Sequence, residues 1–449
     1  MNKLINNKMD IFIVSSAFFL EVLDATIFTP VLIDISNDFE IPVEITTISL
    51  ASFIFSLAIF TPLSMNFFIK TSARKKFIIG IIIFIIASFL CSISSNIYLL
   101  STNRVLQGFG CSFMVPIGRT LVLNKTRKEN IPIVMTYLIW PALFAPVIAP
   151  VIGGYITQFY NWRYIFYFVL FLSFFVLILS LKWLSNDEII LRRSDKIDSL
   201  SYIGWFLLVF SIFYFFALVT IGYIILSLFS IFILLLSIFL MRSYENKIFD
   251  SYLLSNYFFR INIIYGSFFR IAIYCFPVFL VLSLISVFNY TQLTSGICIV
   301  FIFIGNILAK PIAAKILTKN KNIKLYFFIS SSFCFFSVLC FINKDIYNNY
   351  NIVYFLCFIH GVARSFQFLG YSSFSFYRLK KEKLYKANVL NNSVMQLNAM
   401  FGQSIPALLS VFIDFKSINF MYLDAFILVT CALLLIPLIN SFFIKSEID

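Results

Sequence analysis

Two carboxylates, Glu21 and Asp24, lie inside the apolar run 10–33, where a charge needs a chemical reason. A carboxylate at the centre of a bilayer costs roughly 2.5–3.5 kcal/mol on insertion scales. Because they are three residues apart, the two acids share one face of a helix. Desolvation favours the neutral form of a carboxyl group, so the pair predicts proton binding and release beside a polar cavity or ion pathway. The alternative is a structural pair between one acid and a buried arginine.

Arg104 is the predicted partner of these acids, because it lies inside the apolar run 97–123. Its guanidinium group stays charged in proteins and needs a counter-charge. Either Glu21 or Asp24 can supply that charge, and a proton and a salt bridge then compete for one carboxylate. In the alternative, Arg104 reaches the membrane surface or binds backbone carbonyls.

The composition indicates the kind of element that positions these groups. Of 449 residues, 61% are hydrophobic and only 12% are charged, whereas about a quarter of a soluble domain is charged. Each apolar run of about 20 residues predicts one transmembrane helix. Fourteen runs meet this criterion: 10–33, 45–69, 77–95, 97–123, 132–157, 163–184, 200–219, 221–241, 259–284, 294–317, 325–342, 351–376, 388–412 and 419–443. A single histidine excludes a multi-histidine metal site. We expect no metal and no cofactor.

The net charge of +14 is concentrated in short loops between the apolar runs, as at 125–128 and 319–324. This distribution indicates membrane topology and argues against nucleic acid as a partner. The positive-inside rule places both termini in the cytoplasm, consistent with an even number of spans in the cell (inner) membrane.

The polar segment 185–200 suggests a division of the chain into two halves. The residues from Gln107 in the fourth run resemble those from His360 in the twelfth, which fits a layout of six, two and six helices. Internal repeats of this kind are typical of secondary transporters. We predict an N-terminal six-helix bundle at 1–184, a cytoplasmic linker with two extra transmembrane helices at 185–258, and a C-terminal six-helix bundle at 259–449.

The second half carries cations within or near its apolar runs, notably Arg270 and Arg364, and only one acid within a run, Asp424. This imbalance favours an anionic or zwitterionic substrate. Alternatively, Arg270 extends along the helix to the membrane surface. We predict that the substrate-binding residues are Arg270 and Arg364 together with four amides, although the amides could instead form interhelical hydrogen bonds: Gln107, Gln367, Asn391 and Gln396.

The fifth run contains a Pro/Gly pattern that includes Pro146, Pro150, Gly153 and Gly154. Proline removes a backbone donor and bends a helix, and glycine allows a neighbouring helix to approach closely. We predict a shaped gating helix, with simple packing as the alternative.

These motifs together resemble the major facilitator superfamily, and within it the fourteen-helix drug:proton antiporter group of EmrB/QacA/MdtD-like permeases. The resemblance implies two six-helix bundles plus two extra helices, proton coupling at Asp24, proton transfer at Arg104 and an antiporter motif in the fifth helix. The stretches that resemble the group's motifs are spread over nearly the whole chain: 23–27, 103–110, 141–154, 161–166, 364–368 and 388–402.

The loop after the second helix departs from the family pattern. Met65, Ile69 and Ser72 stand where the family has glycine, aspartate and glycine, and Ala149 replaces a glycine in the fifth helix. The resemblance therefore implies an altered cytoplasmic latch.

Our prediction is an all-α integral membrane protein that exports small amphipathic drugs, or an endogenous metabolite such as a siderophore, by proton-coupled alternating access between the two halves. A facilitator or importer of the same fold and a non-transporting sensor or scaffold are the alternatives. A lipid-modifying enzyme would need clustered histidine, aspartate or serine, and none is evident. The expected partners are the bilayer, protons and a small molecule. An adaptor and an outer-membrane channel are conceivable, but no docking site is evident.

Overall fold

The computed structural model describes residues 8–64, 71–126, 131–185, 199–221, 223–242, 251–319, 322–374, 379, 384–412 and 420–444. Met65 and Ile69 of the altered loop motif, and positions 186–198 of the predicted linker, lie outside these ranges. Ser72, the third position of that motif, accepts a hydrogen bond from the backbone N of Lys75 at 3.4 Å and caps the next helix.

The described residues are almost entirely helical, because a helix satisfies its backbone hydrogen bonds internally and an apolar chain in lipid has no other partner for them. The α-helices are α1 (Lys8–Ile27), α2 (Leu32–Phe39), α3 (Val43–Phe60), α4 (Ala73–Ser92), α5 (Ile97–Asn124), α6 (Ile131–Phe159), α7 (Tyr164–Trp183), α8 (Ser199–Ile221), α9 (Ile224–Ser227), α10 (Phe229–Arg242), α11 (Ser251–Ser255), α12 (Tyr257–Ser286), α13 (Gln292–Lys319), α14 (Ile323–Leu339), α15 (Tyr350–Phe374), α16 (Leu384–Phe412) and α17 (Phe420–Ser441).

In the described ranges, 12 helical segments are long and apolar enough to cross a membrane. They coincide with 12 of the 14 predicted spans. The predicted span 221–241 contains the short α9 and the 14-residue α10, and the predicted span 388–412 corresponds to the 29-residue α16. Six amide side chains in α16 lower its hydropathy. The chain is a multi-pass membrane protein.

The chain divides into two compact units. Unit 1 comprises Met1–Tyr214 and Phe229–Lys247, and unit 2 comprises Phe215–Leu228 and Ile248–Asp449. The domain boundaries predicted at residues 184 and 258 stay predictions.

In unit 1, α1 packs against α5, α6 and α7, while α5 also packs against α3 and α4. The contact with α6 requires a glycine, because a Cβ atom at Gly153 would lie only 2.6 Å from the carbonyl oxygen of Ile27. The indole Nε1 of Trp205 in α8 donates to the carbonyl oxygen of Ala58 in α3 at 2.9 Å.

Polar contacts stabilise each end of unit 1. At the end where α1 begins, Asp10 accepts hydrogen bonds from the backbone N and the hydroxyl of Ser185 and lies 3.7 Å from Lys125 Nζ. At the other end, Arg163 Nη1 lies 2.7 Å from Asp38 Oδ2. The Arg163–Asp38 pair is partly exposed.

Unit 2 is organised around α12, which packs against α13, α15, α16 and α17. The core of unit 2 is rich in aromatic rings. One of them is Phe276, whose ring centroid lies 5.2 Å from that of Phe341. Helices α13 and α15 cross closely at Gly361, where an added Cβ atom would collide with the carbonyl oxygen of Ile302.

Candidate functional site

The interior of unit 1 holds a buried ion pair between α1 and α5. Arg104 Nη1 donates to Asp24 Oδ2 at 2.5 Å, and the two side chains are 0% and 1% exposed. Of the two partners that the sequence allowed for Arg104, the structure therefore selects Asp24.

Gln107, one turn further along α5, completes the coordination of Asp24. Its Nε2 donates to Asp24 Oδ1 at 2.9 Å and to Ser88 Oγ of α4 at 2.9 Å. Its Oε1 accepts from Arg104 Nη1 at 2.8 Å. Each carboxylate oxygen of Asp24 thus receives its own donor. Gln107 is fully buried in this network, and its predicted place in a substrate cavity stays a prediction.

Two aromatic rings surround the guanidinium group of Arg104. Its Cζ atom lies 4.6 Å from the ring centroid of Phe28 and 4.6 Å from that of Phe53. The Nε and Nη2 atoms make no hydrogen bond in the described structure, but a ring face attracts a cation, most strongly where water is excluded. One carboxylate, one amide and two rings therefore hold Arg104.

This geometry makes a proton and Arg104 compete for Asp24. An ionised carboxylate accepts from both donors, whereas a protonated carboxyl group carries a hydrogen of its own on one oxygen. If that oxygen is Oδ2, the hydrogen faces the Nη1 donor, and the ion pair is lost at the same time. The arrangement can therefore convert proton binding into a change in the contact between α1 and α5.

Glu21 lies apart from this network. Its side chain is 9% exposed, and it forms no hydrogen bond or ion pair with another residue in the described ranges. The cation that interacts electrostatically with it is Arg119 of α5, whose Cζ atom lies 5.7 Å from the ring centroid of Phe18. The two acids thus have different cations, which the sequence analysis missed because it assigned no role to Arg119.

Helix α6 contributes packing next to Asp24. It remains one helix through Pro141, Pro146 and Pro150, and its Gly153 touches the end of α1 only three residues after Asp24. Gly154 is also buried. The gating role of these residues stays a prediction.

Unit 2 has a second buried arginine, Arg270, which is 0% exposed. Its Nη1 donates to the carbonyl oxygen of Asn262 at 3.3 Å, and its Nη2 donates to the side-chain Oδ1 of the same residue. Asn262 Nδ2 in turn donates to Asn391 Oδ1 at 2.9 Å. Two predicted residues, Arg270 and Asn391, are thus joined through Asn262, which the sequence analysis did not single out. Arg270 does not extend to the surface.

The other predicted residues of unit 2 lie on α15 and α16. Arg364 is 8% exposed, with its Cζ atom 5.0 Å from the ring centroid of Phe303. Gln367, one turn further along α15, donates from Nε2 to Ser331 Oγ at 2.9 Å. Gln396 is half-buried on α16. Their predicted contact with a substrate stays a prediction.

A polytopic helical fold with paired charges inside its spans is the architecture of a membrane transporter. The sequence model of the protein family described as Major Facilitator Superfamily matches residues 14–402 and, in a second match, residues 263–442. Because the first match covers most of the chain, the protein belongs to the Major Facilitator Superfamily.

Relatives of known name point to the same class. The chain is 23% identical over 418 residues to "Putative multidrug resistance protein MdtD" of Escherichia coli O6:H1 (strain CFT073), covering 90% of this chain and 86% of the relative. The protein of the same name from Escherichia coli O17:K52:H18 is 24% identical over the same coverage.

Two solved structures share the fold. A POT family transporter in complex with 5-aminolevulinic acid matches with a TM-score of 0.68 at 15% identity, covering 96% of this chain and 95% of that one. A POT family transporter in complex with a thioalcohol-conjugated peptide matches with the same TM-score at 14% identity and the same coverage. At these identities the likeness concerns the fold alone.

Proposed function

We propose that this transporter is a proton-coupled exporter of a small amphipathic drug or an endogenous metabolite. The observation that carries the proposal is the buried network in which Asp24 accepts from both Arg104 and Gln107. The names of the relatives, which describe multidrug resistance, support the direction of transport.

In the proposed cycle, Asp24 binds a proton and loses its ion pair with Arg104, and it regains the pair when the proton leaves. Separating a buried pair leaves a buried charge without its counter-charge, at a cost of about 3–5 kcal/mol. The two phenylalanine rings beside Arg104 lower this cost, because they continue to hold the cation. Proton binding and a rearrangement of α1 relative to α5 are thereby linked, and this link drives alternating access.

The remaining predicted residues have secondary roles in this proposal. Glu21 is a second proton-linked acid, since Arg119 interacts electrostatically with it but forms no ion pair with it in the described structure. Gln367, Asn391, Gln396 and Arg364 contact substrate from unit 2. The protein acts in the cell (inner) membrane with both termini in the cytoplasm, as the distribution of lysine and arginine in the loops indicates.

Transport by proteoliposomes under an imposed pH gradient tests the proposal. The probes are three naphthalene compounds that differ in fixed charge: 2-naphthalenesulfonate, 2-naphthalenesulfonamide and (2-naphthylmethyl)trimethylammonium. We expect at least one to accumulate in vesicles with an acidic lumen and to leak out when nigericin collapses the gradient. Uptake that only equilibrates, with or without the gradient, supports a facilitator instead and contradicts the coupling.

A further inference from the structure

The two units differ in how they neutralise buried charge. In unit 1, Arg104 has a carboxylate at 2.5 Å and two aromatic rings. In the described part of unit 2 the carboxylates are Asp345 and Asp424. Asp345 is exposed, and Asp424 lies 3.1 Å from Lys344 in a pair whose side chains are both more than 40% exposed. Neither acid pairs with a buried arginine.

Two arginines of unit 2 are buried without an ionic partner in the described ranges. Among the described residues, Arg270 donates only to the two oxygens of Asn262, and its buried Nε has no hydrogen-bond partner there. The guanidinium group of Arg364 lies over one ring, that of Phe303, and its buried Nη1 has no hydrogen-bond partner in the part of the chain that the structure describes. A buried charge of this kind costs several kcal/mol unless it is compensated, and arginine cannot escape the cost by losing its proton.

The two guanidinium groups belong to one region of unit 2. Arg270 lies near the middle of the 30-residue α12, and Arg364 lies near the middle of the 25-residue α15, which packs against it. Tyr274, one turn after Arg270, interacts electrostatically with both arginines. Because each arginine lies near the middle of its helix, both cations lie far from the helix ends, where lipid head groups would be.

We propose that Arg270 and Arg364 bind the anionic group of the transported substrate, which is an amphipathic organic anion with a sulfonate, carboxylate or phosphate head. The unpaired N–H groups supply donors for its oxygens, because an arginine fork matches the geometry of such groups. The aromatic side chains nearby, such as Phe303 and Tyr274, suit its apolar part. The site rests on the proposed function only for the statement that the bound anion is transported.

Binding to the purified full-length protein, with no proton gradient, tests the site separately from export. We measure the melting temperature in nanodiscs against concentration of 2-naphthalenesulfonate, the neutral sulfonamide and the trimethylammonium probe. A ligand that binds only the folded state raises the melting temperature. We expect a saturable rise with the sulfonate only. An equal or larger rise with the neutral or cationic probe overturns the proposal.

Substitutions of the two arginines test where the sulfonate binds. A hydrogen bond to a charged group contributes about 1.5–3 kcal/mol, so Arg270→Gln or Arg364→Gln should weaken sulfonate binding by about 10- to 150-fold. Arg260→Gln is the matched control, since Arg260 is exposed on the same helix, and it should leave the affinity unchanged. If a glutamine variant does not fold, the corresponding lysine variant keeps the charge and should bind more weakly than the wild type. Wild-type affinity in both folded variants refutes the site.

Two further arms identify the source of the anion. Nanodiscs of phosphatidylcholine are compared with nanodiscs that contain phosphatidylglycerol. Unchanged sulfonate affinity supports a soluble anion, whereas competition by phosphatidylglycerol means that a lipid head group occupies the site and contradicts the substrate assignment. A protein that binds the sulfonate but accumulates none of the three probes under a pH gradient overturns the proposed export and leaves the anion site standing.

Discussion

Replacing Asp24 with asparagine tests the buried network with little change in side-chain shape. The carboxylate offers one oxygen to Arg104 Nη1 at 2.5 Å and the other to Gln107 Nε2 at 2.9 Å. Asparagine offers one oxygen, so its NH₂ group must face one of the two donors. In Asp24→Asn, the charge of Arg104 loses its counter-charge, and the group at position 24 can no longer bind and release a proton.

The size of the expected effect follows from the burial of Arg104 and Asp24, whose side chains are 0% and 1% exposed. Removing one partner of a buried pair destabilises a protein by about 3–5 kcal/mol, although the rings of Phe28 and Phe53 reduce this loss. For transport, a gradient of two pH units supplies about 2.7 kcal/mol per proton. We expect Asp24→Asn to lose this driving force completely, so that any probe reaches only its equilibrium distribution.

The assay is gradient-driven accumulation of the naphthalene probes in proteoliposomes, with the melting temperature measured in parallel. Asp38→Asn is the matched control, because it makes the same chemical change in the ion pair of Arg163 and Asp38, whose side chains are 27% and 33% exposed. An exposed pair contributes about 0–1 kcal/mol, so this variant should transport like the wild type. Accumulation by Asp24→Asn at the wild-type level refutes the proposed coupling.

Three more substitutions test the packing and the network of unit 1. Gly153→Val should lower both the melting temperature and export, because its side chain would collide with the carbonyl oxygen of Ile27, 2.6 Å from an added Cβ; an unchanged melting temperature contradicts the close approach. Trp205→Phe loses the 2.9 Å bond to Ala58 and should lower stability by about 1–3 kcal/mol with probe selectivity unchanged, as thermal unfolding and transport will show. Gln107→Leu removes one of the two donors to Asp24 and should reduce accumulation less than Asp24→Asn does, since the ion pair remains; an equal loss would mean that the amide itself is indispensable.

Much of the fold could be predicted because lipid imposes a simple length rule on each helix. Twelve predicted spans coincide with long apolar helices. The bounds of the predicted span 221–241 differ from those of the helices, since hydropathy does not reveal where one helix ends and the next begins. The structure ends α8 at Ile221 and starts α10 at Phe229.

Part of the site could be predicted because charged residues are rare in apolar runs and therefore stand out. That rule identified Asp24, Arg104 and Arg270, but it could not choose between Glu21 and Asp24 as the partner of Arg104, because this depends on how two helices meet. The rule also passes over neutral amides such as Asn262. Its position eight residues before Arg270, just over two helical turns, is the signal that could have identified it.

The ion pair between Asp24 and Arg104 also has an electrical consequence. Ionised, the pair carries no net charge, whereas a proton on Asp24 leaves the single positive charge of Arg104. Moving one elementary charge through a membrane potential of 100 mV changes the free energy by about 2.3 kcal/mol. In the proposed cycle, the proton-loaded pair is therefore drawn toward a negative cytoplasm, while the empty pair returns without electrical work. Through this pair, the membrane voltage would then act only on the half of the cycle in which the proton travels inward.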